Sequence, residues 1–239
     1  MKSRLDQRLV ELGLVSTRSQ AESYIKLGEV KVEGKIISKP GYPVNKSDKI
    51  EVTAEERYVS RAALKLASVA EALKLDFKDK TVLDVGSSTG GFTDYALQHG
   101  AGKVIAVEAG TDQLHPSLRN NSGIELHEQT DIRDLNALSS QPDVVVIDVS
   151  FISLRDILPH VADLVSERTE IVAMVKPQFE AEQAGLKHKG VIKNDKMRRQ
   201  ILKDFESWAI KRFVVVDKAD SAVAGAKGNL ERFYLLRKA

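Results

Sequence analysis

Lys176 follows the apolar run Ile171 to Val175 and precedes Pro177, so its amino group falls at the end of a strand that reads as buried. An ammonium there is costly unless something uses it. Lys65, set between Leu64 and Leu66, and Glu231, in GNLERF at the start of the last expected strand, are charges of the same kind. Lys65 can also be read as a helix lysine running its stem along the surface. Carboxylates close other expected strands: Glu108 ends KVIAVE, Asp148 ends DVVVID, and Asp131 lies past the strand near Ile124 to His127. A carboxylate like Glu108 at a strand end commonly accepts hydrogen bonds from a ribose diol, and a lysine freed of its proton can take one from a hydroxyl. For Asp131, in TDIRDL, capping a helical turn is a close alternative to contact with a ligand.

The stretch Thr81 to Gly91, TVLDVGSSTGG, is an apolar run closing in a Gly/Ser-rich turn, the way a parallel strand hands over to a helix above a nucleotide-like ligand. A dinucleotide fingerprint starting at Gly86 needs glycine at 88 and 91, and position 88 is Ser88. The spacing also nearly fits a phosphate-binding loop, with Gly86, Gly91 and Thr93 in place, but Phe92 stands where a lysine must neutralise phosphate. A glycine loop with no cation suits a ligand that lacks phosphate and has a positive centre. S-adenosylmethionine, a sulfonium with an adenosine tail, is therefore the expected cofactor. Its expected contacts are Asp84, the loop Gly86, Ser87, Ser88, Thr89, Gly90 and Gly91, then Phe92, with Glu108, Asp131 and Asp148 across the strand ends; no metal is expected.

These residues need an alternating fold to bring them together, and the chain from residue 60 supplies one. VSRAALKLASVAEAL is an amphipathic helix, TVLDVG a strand, FTDYALQH a helix and KVIAVEAG a strand; helix-compatible residues around Ser117 to Arg119, the run DVVVIDVSF, a helix from Leu154 and the strand EIVAMVKP continue the pattern. Alternation of this kind predicts a parallel sheet wrapped by helices, with ligands above the carboxyl ends of its strands.

The first fifty residues differ. They hold ten Lys/Arg against six acids, leaving 26 against 28 in the rest of a chain whose net charge is +2. Leu5, Leu9 and Leu12 at helical spacing, ended by Gly13, predict one helix; Ser16 or Thr17 caps a second, carrying Ala21, Tyr24, Ile25 and Leu27 to Gly28. Val30 and Val32, a Glu33-Gly34 turn, Ile36, Ile37 and a strand over Ile50 to Val52 follow. A basic small module beside a near-neutral larger one suggests a polyanion held by the first and processed by the second. With 239 residues, two domains are expected. The chain has no cysteine, its first residues MKSRLDQRLVE carry no apolar core, and no apolar stretch approaches bilayer length, so a cytoplasmic protein without membrane insertion is expected.

RLDQRLVELGLVSTRSQAESYIKLGEVKVEGK resembles the RNA-binding domain named after small-subunit ribosomal protein S-four, over about residues 3 to 55. The resemblance implies that Arg4, Arg18, Lys26 and Lys31 face RNA phosphates. VSRAALKL, VLDVGSSTGGFTD, DVSFISL, VKPQFEA and GNLERF, in this order behind that module, resemble the TlyA family of ribosomal RNA methyltransferases, relatives of the FtsJ-type 2′-O-methyltransferases. What that implies is an α/β, Rossmann-like methyltransferase domain with a mostly parallel seven-stranded sheet and helices on both faces, preceded by a small α+β RNA-binding domain. The expected division is 1–56, a linker 57–60, and 61–239. In that enzyme group a Lys-Asp-Lys-Glu tetrad performs ribose methylation, and the matching positions are Lys65, Asp148, Lys176 and Glu231. The implied substrate is ribosomal RNA or a ribosomal subunit, with cytidine the expected nucleotide; neither DNA nor a membrane is an expected partner, and one RNA-binding module per active site suits a monomer. Departures from the pattern are Ala62-Ala63 where a glycine pair is usual, Glu108 where Asp is usual, and the less basic segment EQTDIR at Glu128 to Arg133.

An ordinary lysine, with a pKa near 10.4, is almost wholly charged at neutral pH. For Lys176 to take a proton, burial and Lys65 must outweigh Asp148 and Glu231; if it stays charged, it orients the hydroxyl instead. The segment Lys187 to Arg199 holds six basic residues against Asp195 alone, so Lys187 and Lys189, with Arg61, are expected RNA contacts; a solvated loop and helix face is the plainer reading. The competing functions are a non-catalytic RNA-binding or ribosome-assembly factor on a methyltransferase scaffold and a haemolysin, the latter without support in the composition.

Overall fold

In the computed structural model, which describes residues 2–15, 17–53, 58–187, 190–225 and 227–239, Leu5 and Leu9 lie fully buried one helical turn apart. They anchor a small unit of β1 (Ser3–Arg4), α1 (Leu5–Glu11), α2 (Arg18–Lys26), β2 (Val30–Val32), β3 (Lys35–Ile36), β4 (Pro43–Val44) and β5 (Ile50–Val52). Thr17 caps α2 by accepting the Gln20 N–H at 3.1 Å; Ser16, the other expected cap, lies outside the described residues. β2 is the centre of an antiparallel sheet ordered β3-β2-β5, and β1 pairs with β4, a ladder too short to be readable in the sequence. Arg57, in the expected linker, also lies outside the described residues.

The larger unit comprises α3 (Arg61–Ala70), β6 (Thr81–Val85), α4 (Gly91–Gln98), β7 (Lys103–Val107), α5 (Pro116–Arg119), β8 (Ile124–His127), β9 (Val144–Ile147), α6 (Leu154–Leu164), β10 (Glu170–Val175), α7 (Pro177–Glu180), α8 (Asp195–Ala209), β11 (Phe213–Asp220) and β12 (Arg232–Lys238). Its seven strands lie in the order β11-β12-β10-β9-β6-β7-β8. All the pairings are parallel except those of β12, which runs against both neighbours. β9 and β10 are buried on both faces, as the unbroken apolar runs VVVI and IVAMV require. Alternate residues face opposite layers: Val82, Val144, Val146, Met174 and Phe233 pack towards α3 and α4, whereas Val85, Val145, Ile147, Val175 and Tyr234 pack towards α6 and α8. Each such side chain contributes roughly 1.5–3 kcal/mol on full burial.

Two features of this topology place the site. The chain lays β7 and β8 on one side of β6 and then returns to lay β9 on the other, so the strand order switches between β6 and β9 and a crevice opens above their carboxyl ends. β12 is reversed, so Arg232 at its start lies opposite Val175 at the end of β10. Glu231 and Lys176, each one residue beyond that register pair, thereby meet at the same rim.

Candidate active site

The loop leaving β6 is pressed against the end of β9. Gly86 has φ +80°, and a Cβ there would lie 2.8 Å from the Asp148 carbonyl oxygen, so only glycine fits. Beneath the loop, Asp84 is fully buried; Thr93 Oγ1 donates to its Oδ2 at 2.7 Å, while Oδ1 has no hydrogen-bond partner. Burial pushes this carboxyl up to about 7, against the hydrogen bonds from Thr93 and with the help of the Asp148 and Glu108 charges. Glu108 folds back over the same loop, accepting the Ser88 N–H at 2.9 Å and the Gly110 N–H at 2.7 Å.

A cavity of about 590 Å³ opens beside this loop, bounded by Gly86, Glu108, Asp131, Asp148 and Phe151. Asp131 does both things the sequence left open. It caps the short 3-10 turn Ile132–Asp134 by accepting the Arg133 N–H at 2.9 Å, and it lines the cavity. The Arg133 guanidinium, 2.7 Å away, holds its carboxyl below the usual range.

A second hollow of about 150 Å³ reaches from Asp84, Ser87 and Phe92 to Lys176, and a third of about 360 Å³ lies beyond it, between Lys65, Phe151, Phe179 and Glu231. Ser150 borders all three cavities, and Lys176 forms part of the wall between the second and the third. Lys176 is 8% exposed; its Nζ lies 2.6 Å from Asp148 Oδ1 and donates to Ser150 Oγ at 2.7 Å. Lys65 Nζ lies 2.6 Å from Glu231 Oε2. Burial raises the Glu231 carboxyl above its ordinary value, with Lys65 pulling it back. The four residues matched to the tetrad thus form two ion pairs at one rim. Lys65 is a largely enclosed partner rather than a freely solvated surface lysine, its side chain being 12% exposed.

Several participants carry no signal in the sequence. Ser150 takes part through the Lys176 hydrogen bond. Phe151 is 91% exposed at φ +65°, an unusual conformation for a bulky residue, with its ring 5.3 Å from that of Phe179. Ser60 caps α3 by accepting the Ala62 N–H at 3.3 Å and packs so tightly on Gly91 that a Cβ there would overlap it, which docks the Lys65 helix on α4. Serine and phenylalanine in DVSF have no chemical signature of their own, so only the fold shows what they touch.

The expected RNA residues are spread over two surfaces. Arg4 and Arg18 are both held by Asp6, Arg4 through two hydrogen bonds of 3.0 and 2.8 Å and Arg18 through one of 2.8 Å. Burial pushes the Asp6 carboxyl up, but the two guanidiniums outweigh it and the net effect is downward. Lys26 and Lys187 are exposed, and Lys31 is partly exposed. Arg61 donates to the Ala224 carbonyl at 2.8 Å, so its guanidinium ties α3 to the loop before β12. Lys189 lies outside the described residues.

Residues 58–238 match the family model described as FtsJ-like methyltransferase, and residues 3–50 match the S4 domain. The chain is 36% identical to a 16S/23S rRNA (cytidine-2′-O)-methyltransferase TlyA of Mycobacterium tuberculosis, covering 99% of this chain and 90% of that protein. It is 37% identical to Hemolysin A of Brachyspira hyodysenteriae, covering 95% and 97% respectively. A solved structure of a hemolysin-named protein from Streptococcus thermophilus superposes with a TM-score of 0.72 at 35% identity, over 100% of this chain and 89% of that one.

Proposed function

The chain belongs to the FtsJ-like methyltransferases, and we propose on that footing that it transfers a methyl group from S-adenosylmethionine to the 2′-hydroxyl of a cytidine in ribosomal RNA. The observation that carries this reading is the pair of ion pairs, Lys176 with Asp148 where the hollow by the glycine loop meets the next cavity, and Lys65 with Glu231 lining that next cavity, which could take a substrate. A scaffold without catalysis has no need of two lysines, one buried and one largely enclosed, each held against a carboxylate in this way.

The residues fit the cofactor. Gly86 lets the loop lie against the Asp148 backbone and so shapes the floor of the cavity, Asp84 Oδ1 is a buried acceptor without a partner, and the carboxylates around the loop suit a cationic ligand. Glu108 would accept from the ribose diol, and Asp131, beside the apolar Ile132, would border the adenine. S-adenosylmethionine supplies a methyl group already activated on a sulfonium. The larger share of catalysis is then positioning, because the accepting oxygen must be held about 3–3.5 Å from that carbon and in line. Lys176, in its neutral form, turns its lone pair to the 2′-hydroxyl and takes up the proton; Asp148 and Ser150 fix its direction, and Lys65 with Glu231 closes the opposite side. Phe151 and Phe179 offer a face on which an unpaired base can stack.

Substrate capture falls to the division at 1–56 and 61–239. Arg4, Arg18, Lys26 and Lys31 hold RNA phosphates in the first part, and the basic residues Lys187 and Lys189 of the second part add to that hold. Phosphate contacts of this kind position an RNA without reading it. The protein acts as a monomer on ribosomal RNA or subunits in the cytoplasm. No helix among the described residues is long and apolar enough to cross a membrane.

The test is incubation with unmodified small and large ribosomal subunits, followed by digestion of the RNA to nucleosides and mass spectrometry. Cytidine methylated on the ribose is the expected product. A methylated base, or no product from either subunit, would overturn the reading.

A further inference from the structure

Glu180 ends the single turn of α7 that follows Lys176, and it is 1% exposed. Its Oε1 accepts the Leu154 N–H at 2.7 Å, its Oε2 accepts the Ser153 hydroxyl at 2.7 Å, and the Arg155 guanidinium stands 3.4 Å away. Ser153 is the cap of α6, so this carboxylate sits where the free N–H groups and the dipole of an eleven-residue helix favour negative charge. Even so, burial holds the carboxyl above its ordinary value against those partners. A helix start at the surface can satisfy its N–H groups with water. A buried carboxylate taken from another segment is a costlier arrangement, and it fixes the distance between the two.

The two segments joined here are the ones that carry the site. Residues 148–153 bring Asp148, Ser150 and the strained Phe151; residues 176–180 bring Lys176 and Phe179. They touch at Lys176, through Asp148 and Ser150, and again at Glu180, through Ser153 and Leu154. The first set of contacts belongs to groups that face the cavities where cofactor and substrate would lie. The second set is buried and independent of substrate. Phe151 lies between the two, and a bulky residue at positive φ persists only where its surroundings over-determine it.

We propose that Glu180 is a positioning residue for methyl transfer: its carboxylate locks the segment bearing Asp148, Ser150 and Phe151 against the segment bearing Lys176, so that the lysine keeps its direction when the 2′-hydroxyl enters. This rests on the reading of Lys176 given above. Glu180 does not touch the cofactor loop, Glu108 or Asp131, and it reaches the cofactor cavity only through residues 148–152, which close one side of it, so cofactor binding should change far less than the chemical step.

The experiment compares the full-length wild type with Glu180→Ala and Glu180→Gln in methyl transfer to unmodified subunits. For each protein, kcat, the cofactor KM, the pH profile of kcat and the folded fraction by circular dichroism are measured. Glu180→Ala is expected to lose roughly 10- to 100-fold in kcat, the scale of a misplacement near 1 Å, with the cofactor KM held within about threefold. Its pH profile should be displaced, because Asp148 and Ser150 no longer stand fixed against Lys176. Glu180→Gln keeps an acceptor for Leu154 and should recover part of the loss. A kcat within about twofold of wild type, or a loss that follows the folded fraction with an unmoved pH profile, would overturn the role of Glu180. A wild type that makes no ribose-methylated product would instead overturn the reading of the site itself.

Discussion

The Lys65 ammonium lies 2.6 Å from the carboxylate of Glu231, joining the first helix of the methyltransferase unit to the start of its last strand, with side chains 12% and 3% exposed. Removing one partner of so buried a pair leaves the other uncompensated, at a cost of about 3–5 kcal/mol. Glu231→Ala and Lys65→Met should each be destabilised on that scale, and the double variant by clearly less than the sum. Urea unfolding of the four proteins checks this. A coupling below about 0.5 kcal/mol would mean that the two groups do not form the pair described.

Asp84 makes stability depend on pH in an unusual direction. Its carboxyl is raised to about 7 in the folded protein, chiefly by burial, from an ordinary value of 3.8. Below the lower value the carboxyl is protonated in both states and costs nothing. Between the two values the unfolded chain gives up a proton that the folded one keeps, so stability falls as pH rises, and above the folded value it levels off. Asp84→Asn should remove this slope and gain on wild type by a few kcal/mol between about pH 4 and pH 7. Parallel stability-against-pH curves for the two proteins across that range would contradict a buried Asp84 with no cation beside it.

The glycine loop is readable from the sequence because its information is local: β6, the turn at Gly86 and the start of α4 are contiguous. The strand-end acids follow from alternation alone. The pairing of Lys65 with Glu231 cannot be derived from spacing, since it depends on β12 being reversed and on the Val175–Arg232 register. Ser150 and Glu180 escape notice for a related reason: each is an ordinary polar residue whose partner lies on another strand-end loop. In the N-terminal unit the basic residues are legible, but their orientation is not, because it comes from Asp6, a buried acid that holds two of them.

RNA binding should be separable from the chemistry. Lys26 and Lys187 are exposed and stand on different units. Replacing each with Glu should weaken binding to ribosomal RNA and lower the salt slope by about 0.7 for each single-strand phosphate that is no longer neutralised. Cofactor affinity, measured by calorimetry, should not change. A salt slope equal to wild type in both variants would remove these lysines from the RNA surface.

The central claim is that Lys176, held by Asp148 and Ser150, acts on a ribose hydroxyl. The most direct test is transfer of labelled methyl from S-adenosylmethionine into unmodified ribosomal subunits by wild type and by Lys176→Ala, with cofactor binding measured for both. The account predicts label on a ribose with wild type and none with Lys176→Ala, although that variant still binds cofactor. Undiminished ribose methylation by Lys176→Ala would contradict it.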